Sequence, residues 1–292
     1  MSSAVTGSLD AILAAQNPDG GWGYRKSGGS WTEPTCYALL GLKAAIPDCE
    51  QVRRGVAWIA STQKQDGGWA PRPSVDQSTW VTALVLVALA DTPAAISLST
   101  ASAWLVARTG RESTLLERLR MRLLGIRPER DADSAGWPWY PDTAAWVSPT
   151  AISVLALKKL ALRQPGSGYQ HRIEMGQRFL MDKMCQDGGW NHGSSRALGY
   201  ESPSYPETTG LALLALGGVK GGPLSKAIAA GERHLRECRS AEGQSWLRMG
   251  LLAHGRDLGG FRLAPASCRT LMDTCLTVLA DAAAAGKNPF LE

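Results

Sequence analysis

Phenylalanine is scarce here, three residues in 292, whereas tryptophan reaches 11. An indole carries an N–H that needs a partner when buried, so bulk supplied by Trp points to organised contacts rather than plain filling. The four histidines, His171, His192, His234 and His254, show no HExxH or other paired spacing, and His192 reads as a loop residue. The six cysteines contain no CxxC pair and read as reduced, buried thiols of a cytoplasmic protein. No Gly pair is followed by Lys-Ser/Thr or precedes a strand, which excludes a phosphate-cradling loop. The longest apolar run, Val81 to Ala90 with Thr82 inside it, falls well short of the roughly 20 residues of a membrane span. The opening stretch MSSAVTGSLDAILAAQ lacks a charged region followed by a long apolar one, so no secretory leader is expected. A net charge of +5 suits an anionic ligand, but no nucleic-acid motif accompanies it and no nucleic-acid partner is expected. No segment alternates with a two-residue period, so no strands are expected.

Repeats are what the sequence does contain. Gln16-Asn-Pro-Asp-Gly-Gly-Trp22, Gln63-Lys-Gln-Asp-Gly-Gly-Trp69 and Gln186-Asp-Gly-Gly-Trp190 share one pattern, with weaker copies ending at Trp137, Trp246 and Phe261. Each strong copy follows a segment of helical period: Val5 to Gln16, Val52 to Gln63, Ile173 to Cys185. The Gly pair is expected to cap that helix through a left-handed residue. After each turn, Trp31-Thr-Glu33-Pro-Thr35, Trp146-Val-Ser148-Pro-Thr150 and Tyr205-Pro-Glu207-Thr-Thr209 open segments that are apolar on most faces, the mark of fully buried helices. The preceding helices, such as EQVRRGVAWIASTQ, are amphipathic. Buried and amphipathic helices in alternation predict two concentric layers. About six pairs fit the length, counting degenerate ones near 97–124 and 224–255, so residues 1–292 are expected to form a single all-α domain closed into an α/α toroid of inner–outer helix pairs.

Arg54-Gly55-Val-Ala-Trp58-Ile59-Ala-Ser-Thr-Gln63, running on to Gly67-Gly68-Trp69, resembles the QW motif of squalene–hopene cyclases and their relatives, a superfamily that includes protein prenyltransferase β subunits. Gly231-Glu-Arg-His-Leu235 and Gly176-Gln-Arg-Phe-Leu180 look like weaker starts of it. The resemblance implies an α/α toroid whose central cavity handles isoprenoid chains. Two departures stand out. The closest text to the D-x-D-D acid motif is Asp131-Ala-Asp133-Ser134, which lacks the final Asp. Asp273-Thr-Cys275 matches the D-x-C zinc pair of protein prenyltransferases, but Glu207 stands where the zinc-binding His would be, so no cofactor is expected.

Superposing the inner-helix starts places Glu33, Asp76, Ser148, Glu207 and Asp273 at one repeat position, with Thr35, Ser78, Thr150, Thr209 and Cys275 two residues on. Trp31, Trp146 and Tyr205 precede by two, and Trp80 follows Ser78. In a closed ring these side chains surround one mouth. First-turn carboxylates and hydroxyls are also ordinary helix caps, worth about 0.3–1 kcal/mol for the charge. The sharper reading makes Asp76, Glu207, Glu33 and Asp273 candidate acids over aromatic rings that stabilise a carbocation. Arg25, Lys26, Arg72, Arg196 and Arg262 recur in the loops feeding this rim and suit a diphosphate. The stretch RESTLLERLRMRLLGIRPER, with its arginines among leucines, reads as a repeat helix or as a peripheral membrane contact. An isoprenoid cyclase or prenyltransferase-like enzyme is the leading functional reading. A non-catalytic lipid-binding or protein-scaffold toroid comes second, and a glycan-processing α/α barrel third.

Overall fold

The computed structural model describes residues 3–25, 28–92, 97–114, 119–120, 123–124, 134–194, 196–197, 200–259 and 268–292. Among these, eleven α-helices occur: α1 Ser3–Ala14, α2 Thr32–Ala45, α3 Glu50–Ser61, α4 Val81–Leu89, α5 Leu98–Ala107, α6 Val147–Arg163, α7 Gln170–Asp182, α8 Pro206–Ala215, α9 Leu224–Glu237, α10 Ala241–Leu252 and α11 Leu271–Ala284. Six of them form an inner ring. α2 packs on α4, α4 on α6, α6 on α8, α8 on α10, α10 on α11, and α11 returns to α2. Outside it α3, α5 and α7 pack on α2, α4 and α6, α9 packs on α8 and α10, and α1 covers the seam where α11 meets α2. The expected all-α toroid is therefore the observed architecture. Every residue of α4 is buried, whereas α3 buries only Val52, Gly55, Trp58 and Ile59. That contrast separates an inner helix from an outer one.

The repeat motif is the mortar between the layers. Trp22, Trp69, Trp137 and Trp190 are fully or almost fully buried. Each indole N–H donates to a carbonyl at the end of an outer helix: Ile12, Ile59, Leu105 and Leu180, at 2.6–2.8 Å. Each backbone N–H donates to a threonine hydroxyl of the following inner helix: Thr35, Thr82, Thr150 and Thr209, at 2.8–2.9 Å. The motif aspartates reach forward to the next repeat. Asp19 accepts from Trp58 Nε1 at 3.0 Å and Asp66 from Trp104 Nε1 at 2.9 Å. Gly55 is small because Trp22 lies against it; a Cβ there would sit 2.7 Å from the indole.

Some expectations need correcting. The outer helices end two or three residues before the positions read from periodicity, because Gln16 and Gln63 serve as braces outside the helix. Gln16 Nε2 donates to the carbonyls of Gly20 and Gln51, both at 2.8 Å, and Gln63 Nε2 donates to Gly67 O at 2.9 Å. The first Gly of each pair does take positive φ, 96° at Gly20 and 90° at Gly67. It forms a turn beyond the helix rather than a cap on it. Two short ladders occur where no strands were expected: β1 Trp137–Pro138 with β2 Ala145–Trp146, and β3 Arg196–Ala197 with β4 Tyr200–Glu201. They are hairpins in loops that lead to inner helices. Trp246 does not end a repeat turn but lies inside α10, and Phe261 falls outside the described residues. Cys268 is exposed, contrary to the expectation of buried thiols throughout.

The ring is tied together at the C-terminal ends of its helices. Lys43 of α2 donates to Ala88 O, the end of α4, at 2.8 Å and pairs with Asp91. Lys158 of α6 donates to Gly217 O, just past α8, at 2.7 Å. Arg248 of α10 pairs with Asp281 of α11 at 2.7 Å. Cations there suit the negative ends of the helix dipoles.

Acid should loosen the mortar. Desolvation pushes the Asp66 carboxyl up, but hydrogen bonds from Ser78, Gly68 and Trp104 and the Arg108 charge outweigh it and hold the group below the usual carboxylate range. A depressed folded value gives stability that is complete above the ordinary Asp value of about 4 and lost as pH falls through the lower folded value. Thermal melts of Asp66→Asn and the parent chain between pH 3 and 7 should show the variant less stable at pH 7. The gap should close towards pH 3. A constant gap would place the effect outside the carboxylate.

Candidate functional site

One pocket of about 400 Å³ opens among the N-terminal ends of the inner helices. Its lining follows helical geometry. Glu33, Ser148, Glu207 and Glu242 are each the second residue of their helix. One turn deeper, four residues on in each case, stand Tyr37, Ile152, Leu211 and Trp246. Trp80, Trp139, His192, Tyr205 and Thr208 complete the wall. The result is a carboxylate-bearing mouth above an aromatic and aliphatic interior. Trp80 and Trp139 pack edge-on with centroids 4.8 Å apart, Tyr37 and Trp246 edge-on at 6.1 Å, and His192 lies 5.4 Å from Tyr205.

The carboxylates are held differently. Tyr24 donates its hydroxyl to Glu33 Oε2, and burial together with the Glu33 charge keeps the phenol well above its ordinary value, so it stays a donor. Burial pushes the Glu33 carboxyl up, with the Tyr24 hydrogen bond opposing. Glu207 Oε1 accepts from Ser240 Oγ, the N-cap hydroxyl of α10, at 3.3 Å. Glu242 keeps solvent contact, yet the pocket walls push its carboxyl up. Charges on Glu207, Asp273 and Glu33 push in the same direction, and a Trp246 hydrogen bond pulls against them. Like charges around one cavity favour the protonated form of Glu242.

Of the acids read from the sequence, Glu33 and Glu207 line this pocket and Asp76 does not. Asp76 is exposed in the loop before α4. The register expected for the second repeat is four residues out: Thr82, not Ser78, is the counterpart of Thr35, because both accept from a motif Trp N–H. Ser78 instead matches Ser30, each donating its hydroxyl to a motif aspartate at 2.7 Å. Two residues before the shared threonines stand Glu33, Trp80, Ser148 and Glu207, so Trp80 takes the place given to Asp76. Asp273 is a cap. Its Oδ2 accepts from the N–H groups of Arg269 and Thr270 at 2.8 and 2.9 Å, and Thr270 returns the bond in a capping box. Cys275 is buried with its thiol pushed up by desolvation, and no three His, Cys, Asp or Glu side chains among the described residues gather as a metal set.

Among the aromatic candidates, Trp80 and Tyr205 line the pocket; Trp31 and Trp146 stand at helix N-caps and are not part of its lining. The hydroxyls expected to cap these helices point back to the repeat turns, and α2, α6 and α8 carry no side-chain cap bond. Neither Arg25 nor Arg72, the basic candidates with described side chains, lines the pocket. Arg25 and Arg72 are exposed, with the Arg72 guanidinium 5.1 Å over the Trp31 ring. Lys26 and Arg262 lie outside the described residues, as does the side chain of Arg196, whose backbone is in β3. Asp131 and Asp133 are also outside them. Of the arginine-rich stretch, 111–114, 119–120 and 123–124 are described, with a 3-10 turn at Arg111–Ser113 and exposed Leu119, Leu123 and Leu124. No described helix is long and apolar enough to cross a membrane. Sequence reasoning missed Glu242, Trp139, Trp246 and the role of His192. Glu242 was legible as the residue two after Ser240, an N-cap type with an acid following in the first turn.

A family model for the squalene–hopene cyclase C-terminal domain matches residues 1–76. Drimenyl diphosphate synthase of Streptomyces showdoensis is 27% identical over 237 residues, which cover 78% of this chain and 39% of that protein. The chain thus spans about two fifths of the length of that relative. Among solved structures, the type II terpene cyclase MstE from Scytonema superposes with a TM-score of 0.57 at 15% identity, covering 98% of this chain and 99% of that one. A family 76 glycoside hydrolase (mannosidase) from Bacteroides thetaiotaomicron gives 0.62 at 12% identity, covering 97% of each chain. At such identities the superpositions speak for the fold alone, and the sequence matches speak for the repeat. Fold, repeat and sequence relatives together bear out the resemblance of this chain to the squalene–hopene-cyclase-like toroids.

Proposed function

We propose that the pocket binds an isoprenoid chain and starts its cyclisation by proton transfer from Glu242. The observation that supports this most is the stacking of the lining in two levels. Carboxylates pushed up by desolvation and by one another stand at the mouth, above Tyr37, Trp80, Trp139 and Trp246. The Tyr24 hydroxyl favours the ionised form of Glu33 against the effect of burial, while desolvation and the neighbouring charges favour the protonated form of Glu242. Transfer of that proton to an alkene carbon leaves Glu242 as a carboxylate and creates a cation. Aromatic faces then stabilise the positive charge, about 2 kcal/mol each where water is excluded. Loss of a proton from the final cation to the Glu242 carboxylate closes the cycle. The volume lies within the roughly 300–1,000 Å³ usual for small-molecule sites. A diphosphate head would stay at the rim, where Arg25 and Arg72 are exposed, because the pocket itself carries acids.

Incubating the chain with prenyl diphosphates and alcohols of two to six isoprene units, with and without magnesium, should give cyclised products by mass spectrometry. Absence of both binding and turnover across that panel overturns the proposal. Stabilisation by prenyl lipids without turnover would favour the second reading, a lipid-binding toroid without chemistry. That reading draws support from Asp131-Ala-Asp133-Ser134, which lacks the last acid of the D-x-D-D pattern.

A further inference from the structure

Beyond α11 the chain turns inward and crosses the ring. Counting round the inner helices, α6 stands opposite α11, yet Lys159 of α6 donates Nζ to the carbonyl of Pro289 at 2.8 Å. A tight set of bonds fixes the crossing. Asn288 Oδ1 accepts from Phe290 N at 3.2 Å, and Asn288 N donates to Glu292 Oε1 at 2.9 Å. Phe290 is completely buried, and its ring lies 5.4 Å from that of Trp246, tilted by 58°.

Depth along the axis locates this ring. Ile152 marks the lower level of the pocket on α6, and Lys159 comes seven residues later, about 10 Å further down at 1.5 Å per residue. Phe290 thus packs against Trp246 of the pocket's lower level and follows directly on Pro289, which Lys159 holds. We infer that Phe290, by backing Trp246, forms the floor of the pocket and sets the length of the isoprenoid chain that fits. The inference rests on the proposed isoprenoid reading of the pocket. A Phe290→Ala change removes a six-carbon ring, close in bulk to one five-carbon isoprene unit, from the place where a longer chain would end. A cavity left in a close-packed interior is kept rather than fully collapsed.

The full chain, Phe290→Leu, Phe290→Ala and Trp246→Phe should be titrated with geranyl, farnesyl and geranylgeranyl diphosphate, following tryptophan fluorescence, with melting temperature measured in parallel. The expected result is a change of at least tenfold in the affinity ratio towards the next longer chain, larger for Ala than for Leu. Phe290→Leu retains an apolar side chain and decides the matter should Phe290→Ala fail to fold. An unchanged length ranking with a lower melting temperature would make Phe290 core packing alone and overturn the floor, with the pocket reading left standing. A parent chain that binds none of the three overturns the pocket reading and the floor with it.

Discussion

Glu242→Gln should lower turnover of a cyclising substrate at least about a hundredfold, the scale of a lost general acid, and at the same time raise the melting temperature at pH 7. The two effects share a cause. In the folded chain the Glu242 carboxyl is pushed up by desolvation, then by Glu207, Asp273 and Glu33. A raised folded value means that the fold prefers the protonated acid, so the carboxylate costs stability once pH exceeds the ordinary Glu value. Glutamine removes that cost, and with it the proton. The gain should be present at neutral pH and vanish below about pH 4, where the parent carboxyl is protonated in both states. Activity of the parent should fall as pH rises through the raised value. If Glu242 were only a helix cap, the outcome would reverse. Loss of a first-turn charge would lower stability by about 0.3–1 kcal/mol and leave turnover intact. Melting curves and initial rates from one preparation decide between the two.

Trp69→Ala should be the most destabilising single change in the repeat motif, by about 3–5 kcal/mol, the usual cost of emptying a buried aromatic site. Trp69 is fully buried, and its indole N–H holds the carbonyl of Ile59 while its backbone N–H is held by Thr82. Truncation leaves a void between α3 and α4 and orphans the Ile59 carbonyl. For a chain of this size the melting temperature should fall by roughly 10 °C. Trp69→Phe fills most of the space and loses the hydrogen bond, so it should cost about 1–2 kcal/mol. Equal losses for both variants would mean that the ring's bulk contributes little, against the packing described.

The toroid was legible because its signals are local and repeated. A Gln, an Asp, two glycines and a Trp recur before segments buried on most faces, and the Trp of each strong copy has the same two partners in the structure. The mouth was half legible for the opposite reason. Glu33 and Glu207 announce themselves by standing next to Pro and Thr at helix starts. Asp76 passes for their equivalent because Ser78, a hydroxyl serving Asp66, mimics the threonine that serves the Trp. In the second repeat the true counterpart comes 13 residues after Trp69, the same separation as Trp22 to Thr35 and Trp137 to Thr150. Counting from the buried Trp gives the right register in these three repeats; at Trp190 the longer loop with its hairpin stretches the separation to 19. Glu242 escapes notice because α10 lacks the aromatic residue that introduces α2, α6 and α8. Nothing in the local sequence around Phe290 reveals its burial, since the segment is held from afar, Lys159 bonding the Pro289 carbonyl 130 positions on.

Lys43, Lys158 and Arg248 bridge neighbouring inner helices at their C-terminal ends, and Lys159 draws the last residues across the same end. The opposite end has carboxylates that repel one another, and its tie between neighbouring inner helices, Ser240 Oγ to Glu207, is longer at 3.3 Å. Such a vessel is riveted at its base and breathes at its lip. On the proposed reading, a cyclised product is more rigid and bulkier in cross-section than the flexible chain that entered, so its departure past the lip should be the slow step.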